Sequence, residues 1–251
     1  MRIITYNVNG IRAAARKGFF AWLATCQADI VCLQETKAWR SDLTDPMFYP
    51  DGFEHYYVDA QKKGYSGVAI YTKRVPDQVI TTLDWPVMDD EARYLQIDFE
   101  ALSVISLYLP SGTSGDHRQQ IKFAVLDKLA THLSALKASG RELVICGDWN
   151  IAHKKIDIKN WRGNQKRSGF LPEERQWMDW LFGETAPELE GGRGGHAGFY
   201  DAFRLINEED EQYTWWSNRG QAYANNTGWR IEYHVISANL KDTVKPHSDL
   251  I

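Results

Sequence analysis

Apolar runs in this chain end in side chains that can handle charge. Asn7 and Asn9 follow Ile3-Ile4, Gln34 and Glu35 follow Ile30-Val31-Cys32-Leu33, and Asp148 and Asn150 follow Leu143 to Cys146. Taken singly, Asn7 and Asn9 with Gly10, or Asp148 with Asn150, are ordinary turn formers. Glu35 is different, because it directly follows a run apolar enough to be buried on both faces, and a buried carboxylate needs a cation or hydrogen-bond donors. Asp148 and Asn150 alternate along an extended segment, which points both side chains to one side. Together Asn7, Glu35, Asp148 and Asn150 form an oxygen-rich set without His or Cys, suited to a hard cation: Mg²⁺, with Mn²⁺ as a substitute. Mg²⁺ prefers carboxylates, water and substrate phosphate oxygens to an all-protein cage, so a site with few carboxylates implies a phosphate substrate. The cation would stabilise charge on the scissile phosphate and leaving oxygen, while Asp148 orients or deprotonates the attacking water. Tyr108, after Ser103 to Leu107, can reach the same rim; its plainer reading is an interfacial core tyrosine.

A second constellation follows in sequence. Lys154, Lys155, Lys159, Arg162, Lys166 and Arg167 surround Trp161, with Asp157 the one acid among them. Cations so close repel unless they are solvated or occupied by phosphates, so the segment is either a solvated face or a grip on a nucleic-acid backbone. Trp215-Trp216-Ser217-Asn218-Arg219-Gly220 adds stacking surface with Asn and Arg donors beside it, which suits an exposed base or a flipped nucleotide.

Strands must carry these groups. Arg2 to Asn7, Asp29 to Gln34, Gly67 to Tyr71, Tyr94 to Phe99, Ser103 to Tyr108, Glu142 to Cys146 and Arg230 to Ile236 are rich in Ile, Val and Tyr and end in turn residues. Between them, Ala15, Phe19, Trp22, Leu23 and Cys26 recur at helical spacing, as do Leu126, Leu129, Ala130, Leu133 and Leu136 ahead of a stop at Gly140. A third helix opens at Pro172 and buries Trp177, Trp180 and Leu181. Gly191 to Gly195, continuing through His196 to Gly198, is too glycine-rich for either element and reads as a mobile surface loop. With no repeat and no Pro/Gly/Ser-rich linker, one domain over residues 1–251 is the economical reading.

Composition narrows the class. The net charge of −4 argues against an overall basic coat, leaving only a local basic surface for nucleic acid. No apolar run approaches the roughly 18 residues that a membrane helix needs, so a soluble protein without a membrane partner is expected. Cys26, Cys32 and Cys146 are odd in number and lack Cys-x-x-Cys spacing, which fits a reduced, cytoplasmic protein.

The ordered stretches Asn7-Val8-Asn9-Gly10-Ile11-Arg12, Leu33-Gln34-Glu35-Thr36-Lys37, Gly64-Tyr65-Ser66-Gly67-Val68-Ala69, Tyr108-Leu109-Pro110, Gly147-Asp148-Trp149-Asn150-Ile151-Ala152, Gly169-Phe170 with Glu174-Arg175, Asp201-Ala202-Phe203-Arg204 and Gly228-Trp229-Arg230-Ile231 resemble the exonuclease III branch of the endonuclease/exonuclease/phosphatase superfamily. The resemblance covers nearly the whole chain. It implies a four-layer α/β sandwich, two mixed β-sheets packed face to face with helices outside, and one site at an end of the sheets. It implies Glu35 as metal ligand with Asn7 beside it, Asp148 as acid/base, Asn150 as phosphate or transition-state binder and Tyr108 as an active-site phenol. Asn9, Arg12, Lys154, Lys155, Trp161, Arg162, Lys166, Trp216 and Arg219 would contact DNA. The implied reaction is hydrolysis of double-stranded DNA 5′ to an abasic site, leaving a 3′-hydroxyl, with 3′-exonuclease or 3′-phosphatase activity alongside; separately, a monomer is expected.

The chain departs from that pattern at Glu232, where the family has Asp, a change that moves a catalytic carboxylate by about one methylene. The family's closing Ser-Asp-His-x-Pro motif and final strand are also not found; His247-Ser248-Asp249 has a different order, and the histidine's role is not transferred to it. Leu109-Pro110-Ser111-Gly112 and Lys159-Asn160-Trp161-Arg162 also look like catabolite repression control proteins, regulators on the same scaffold acting in RNA-linked repression with an RNA or RNA-chaperone partner. An inositol-phosphate or lipid phosphatase of the superfamily fits Trp215-Trp216 and Arg230-Ile231-Glu232-Tyr233 less well.

Overall fold

The computed structural model describes residues 1–183 and 197–245. Gly191 to His196 and His247-Ser248-Asp249 lie outside the described residues. The chain divides into two compact units, residues 1–109 with 145–148, and residues 110–144 with 149–251.

The first unit contains β1 (Ile3–Asn7), α1 (Ile11–Arg16), α2 (Phe19–Thr25), β2 (Ile30–Gln34), β3 (Glu54–Val58), β4 (Val68–Thr72), β5 (Gln78–Ile80), α3 (Pro86–Asp90), β6 (Tyr94–Phe99) and β7 (Leu102–Tyr108). Strands β1-β2-β4-β3 form a mixed sheet in that order, with β1 parallel to β2 and β4 antiparallel to both β2 and β3. All five residues of β2 are buried because the strand is central and covered on both faces. Val31 and Leu33 join a core with Ile11, Ala14, Phe19, Phe20 and Leu23 from α1 and α2. Alternation sends Gln34 to the opposite face, where its Nε2 donates to Ser106 Oγ of β7 at 3.0 Å, and Ser106 Oγ donates to the Leu33 carbonyl at 3.0 Å. Within this unit the first sheet therefore packs face to face on β6 and β7, with a satisfied polar contact inside the apolar layer.

The periodic stretch from Ala15 to Cys26 is not one helix. Lys17 caps α1, and Gly18, at φ +92°, redirects the chain into α2, leaving Trp22 41% exposed rather than in the core. The sequence reading also missed β3 and β5, whose residues are only partly buried and lack a clean apolar run.

The second unit contains α4 (Asp116–Ala138), most of the chain after β8 (Glu142–Asp148), then α5 (Trp161–Asn164), α6 (Pro172–Leu181), β9 (Phe199–Asp201), β10 (Trp215–Trp216), β11 (Gly228–Trp229) and β12 (Glu232–Ser237). The last four residues of β8 count with the first unit. In the first unit β5, β6 and β7 pair antiparallel in that order, and in the second β12 pairs antiparallel with β9. On α4 the buried stripe is Lys122, Val125, Leu126, Leu129, Ala130 and Leu133, a 3,4-spaced face headed by a lysine. Pro172 occupies the first turn of α6, as its sequence position suggests, and Trp177 Nε1 donates to the Leu126 carbonyl at 3.0 Å. Two-residue β10 and β11, and three-residue β9, are too short to give a period-2 signal.

Candidate active site

In the first unit, four strand ends meet. The parallel pairing of Asn7 with Gln34 brings the ends of β1 and β2 to one edge, and the loops beyond are stitched by Val8 N to Gln34 O (3.0 Å), Gly10 N to Glu35 O (2.7 Å) and Ile11 N to Thr36 O (2.8 Å). Glu35 and Lys37 both adopt left-handed φ, +56° and +49°. That unusual turn is held by Thr36 N to Gly67 O (3.1 Å) and Lys37 N to Ser66 O (2.8 Å). A Cβ on Gly67 would lie 2.2 Å from Thr36 Oγ1, so only glycine allows this approach. Tyr108 ends β7 and Asp148 ends β8, joined by Leu109 N to Asp148 O at 2.9 Å. Gly147 has the same logic: a Cβ there would sit 1.8 Å from the Leu107 carbonyl oxygen.

At the centre, Asn7 Nδ2 donates to Glu35 Oε1 at 2.8 Å and to Asp148 Oδ2 at 2.9 Å, so one amide bridges two carboxylates. Asn7 Oδ1 accepts from Asn9 N at 3.0 Å, which settles which end of the amide faces the acids. In this arrangement Asn7 is a clamp; acting as a metal ligand would require its oxygen to turn away from Asn9. Lys37 Nζ lies 2.5 Å from both Glu35 Oε2 and Asn9 Oδ1. Burial opposes ionisation of Glu35, but hydrogen bonds from Asn7 and Lys37, the Lys37 charge and the Tyr108 hydroxyl outweigh it and hold this carboxyl below its ordinary range. Burial, then the negative charges of Glu35 and Asp148, push the Tyr108 phenol far up, so it is a neutral hydrogen-bond donor.

No group of three or more His, Cys, Asp or Glu side chains among the described residues is arranged to hold a metal. The pair Glu35 and Asp148 nevertheless fits a hard divalent cation that keeps most of its positions for water and phosphate oxygens. Lys37 already places one positive charge on Glu35 Oε2, so a metal bound at that oxygen would take the place of the lysine.

Asn150 and Glu232 belong to the second unit. Asn150, at φ +52°, has its carbonyl held by Lys122 Nζ at 2.8 Å. Lys122 also contacts Glu174 Oε1 at 2.6 Å, and both side chains are wholly buried. Glu174 Oε2 accepts from Gly169 N (2.7 Å) and Leu171 N (3.0 Å), so one ion pair fixes the Asn150 turn to the start of α6. The Glu232 carboxylate accepts from the Thr214 hydroxyl, which itself accepts from the amides of Ile231 and Glu232.

The basic segment is not a uniform row of free cations. Lys154 Nζ is 2.5 Å from Asp179 Oδ1, which also meets His153 Nε2 at 2.7 Å, and Lys159 pairs with Glu211. Asp157 is buried scaffold: its Oδ1 accepts from Arg230 Nε (2.8 Å) and Arg204 (2.7 Å) and its Oδ2 from Lys154 N (2.9 Å). Lys155 and Arg162 both lie over the Trp161 ring, 4.4 and 4.6 Å from its centroid, and with Lys166 they are exposed. Trp216 is half-buried, its Nε1 donating to Asn226 Oδ1 at 3.0 Å and its ring edge-on to the exposed Tyr223. Arg219 is exposed, as are Asn9 and Arg12 in the first unit.

Sequence reasoning did not single out Lys37, Arg93 or Lys122. For Lys122 a signal existed, since it lies four residues before Leu126 on the apolar stripe, where a lysine must have a buried partner. Lys37 and Arg93 carry no such mark: each has an acid two positions away, Glu35 and Glu91, but a neighbouring acid and base are common in any sequence and neither position lies on an apolar period.

Residues 4–249 match the model of the Endonuclease/Exonuclease/phosphatase family. An exodeoxyribonuclease of Bacillus subtilis (strain 168) is 35% identical over 250 residues, covering 99% of this chain and 92% of that protein. A DNA repair nuclease of Danio rerio is 34% identical over 245 residues, covering 96% of this chain and 74% of that protein. Among solved structures, an AP endonuclease from Archaeoglobus fulgidus matches with a TM-score of 0.80 at 26% identity, over 95% of this chain and 88% of that one.

Proposed function

We propose, from the premise that this chain belongs to the endonuclease/exonuclease/phosphatase family and is a DNA-repair nuclease, that it is a Mg²⁺-dependent hydrolase cutting double-stranded DNA 5′ to abasic sites in base excision repair. Hydrolysis at a 3′ end, as exonuclease or 3′-phosphatase, is the same chemistry at a different position. The observation that carries this reading is the Asn7 amide bridging Glu35 and Asp148 beside a neutral Tyr108.

Glu35 would hold the cation, which supplies charge stabilisation on the phosphate and leaving oxygen. Asp148, kept in place by Asn7, accepts the proton of the attacking water. Tyr108 donates its phenolic proton in a hydrogen bond toward negative charge, and Asn150 offers its amide to a phosphate oxygen. Glu232 takes the place of the family aspartate, with Thr214 as its present partner. Trp161 with Lys155 and Arg162, then Lys166, Arg219 and Trp216, and Asn9 and Arg12, supply cations, donors and ring faces for the DNA. Lys154, held by Asp179, would contribute less.

The chain would act as one domain and as a monomer. Three buried free cysteines support a reducing cytoplasmic setting, and no helix of the described residues is long and apolar enough to cross a membrane. An RNA-linked regulator is the weaker reading, because the carboxylates are clamped and the relatives are named as nucleases.

The test is cleavage of a duplex oligonucleotide carrying one abasic analogue, with Mg²⁺ or with chelator, beside an undamaged duplex. A single metal-dependent cut 5′ to the lesion leaving a 3′-hydroxyl is expected. Equal cutting of both duplexes, or none, removes the abasic-site assignment.

A further inference from the structure

Arg93 is an unusual residue to find inside a β-layer. It immediately precedes β6, is 1% exposed, and is bonded to β7 by Tyr108 N donating to its carbonyl at 2.9 Å. Burying a guanidinium is costly unless its donors are used. Here they are used in three directions: Nε to Glu91 Oε2 at 2.6 Å, Nη1 to the Tyr108 carbonyl at 3.0 Å, and Nη2 to the Tyr65 hydroxyl at 3.0 Å. Tyr65 passes its own proton on to Glu91 Oε2 at 3.3 Å. The guanidinium plane also lies on the Tyr108 ring, 4.5 Å from its centroid.

Its partners belong to the two segments that complete the candidate site. Tyr108 is the phenol that donates to Glu35. Tyr65 sits in the Gly64–Gly67 turn, whose Ser66 and Gly67 carbonyls accept from Lys37 N and Thr36 N and so fix the left-handed turn carrying Glu35. A flat fork with donors on three sides can brace both at once; an ammonium cannot.

We infer that Arg93 is a positioning residue for the hydrolysis, holding the Tyr108 ring and the Glu35-bearing turn in their relative places through its contacts with Tyr108 and Tyr65. The inference rests on the role proposed for Tyr108. Because it is buried and its donors are taken up by Glu91, Tyr108 and Tyr65, its loss acts on turnover rather than on DNA affinity.

A double-mutant cycle tests it, with kcat and KM measured on the abasic-analogue duplex in saturating Mg²⁺ for Arg93→Gln, Arg93→Lys, Tyr108→Ala and the Arg93→Gln/Tyr108→Ala pair. Arg93→Gln is expected to lower kcat by about 10²-fold, the cost of misplacing a reacting group by an ångström, with KM little changed. Arg93→Lys should recover little of it. In the Tyr108→Ala background, adding Arg93→Gln should cost far less, since the group it positions is gone. Should Arg93→Gln fail to fold, Tyr65→Phe, which deletes one of the guanidinium's partners while keeping the ring, takes its place in the cycle with a smaller kcat loss that is likewise absorbed. Additive losses, a change in KM alone, or full recovery by Arg93→Lys overturn the inference while leaving the site reading intact. If Tyr108→Ala leaves kcat unchanged, the role of Tyr108 falls and the inference falls with it.

Discussion

Each unit of the molecule gathers buried or half-buried carboxylates, but the two gatherings are satisfied differently. In the first, Glu35 and Asp148 share one neutral amide, Asn7, and the added cation on Glu35 is a partly exposed lysine. In the second, Asp157 and Asp201 are locked by Arg230, which is 2% exposed, with Arg204 and the Lys154 amide completing Asp157. Burial opposes ionisation of Asp157 too, and the arginines overcome it, so Asp157 and Glu35 both titrate low. Burial would lower Arg230, and the negative charges of Asp201 and Asp157 outweigh it and hold the guanidinium firmly protonated, so each ion supports the other. A carboxylate whose counter-charge is fixed and buried is scaffold. One whose counter-charge sits on a flexible, partly exposed stem can exchange it for a metal ion or a phosphate-bound cation.

The sharpest break of this contrast is Asp148→Ala, expected to lower cleavage by about 10²–10⁴-fold, the usual share of a positioned acid/base, while leaving the denaturation midpoint almost in place. Arg230→Met should do the reverse: a stability loss of about 3–5 kcal/mol in urea unfolding, because Asp201 loses the Arg230 guanidinium and Asp157 is left with Arg204 as its cation. If both variants lost stability equally, the division into site and scaffold would fail. Glu35→Gln should raise the Mg²⁺ concentration for half-maximal activity at least about tenfold, checked by metal titration and by calorimetry of Mg²⁺ binding.

Acid separates the two more gently. Asp157 ionises at a lower pH in the folded than in the unfolded chain, so its stabilisation is complete above the ordinary carboxylate value of about 3.9 and is lost as pH falls through the lower folded value. Asp157→Asn should therefore flatten the acid limb of stability against pH; an unchanged limb would remove Asp157 as its source. The smallest effect belongs to the surface: Lys166→Ala should reduce the slope of log affinity for DNA against log salt by about 1, with the abasic preference retained.

Much of the site could be read from strand ends. Asn7, Glu35 and Asp148 stood out because oxygen-bearing side chains closed strongly apolar runs, and the structure brings those three together. The basic run was legible as a cluster but not as separate roles, since composition cannot distinguish Asp157, enclosed by arginines, from Lys166, in solvent. The continuous helix expected from Ala15 to Cys26 failed because its apolar spacing runs across Gly18, whose positive φ ends one helix and starts another.

By itself the sequence determined the mixed α/β class, the central strands and the helices α4 and α6, because burial on one or two faces writes a period into the residues. It also determined the set of acids and amides at the strand ends. Only the tertiary structure decided which acid meets which donor: the Asn7 amide reaches Asp148 across 141 positions and the Arg230 guanidinium reaches Asp157 across 73. Hydrogen bonds and ion pairs act over a few ångströms of space with no memory of separation along the chain, so charges alike in sequence become reactive or inert according to what the fold sets beside them.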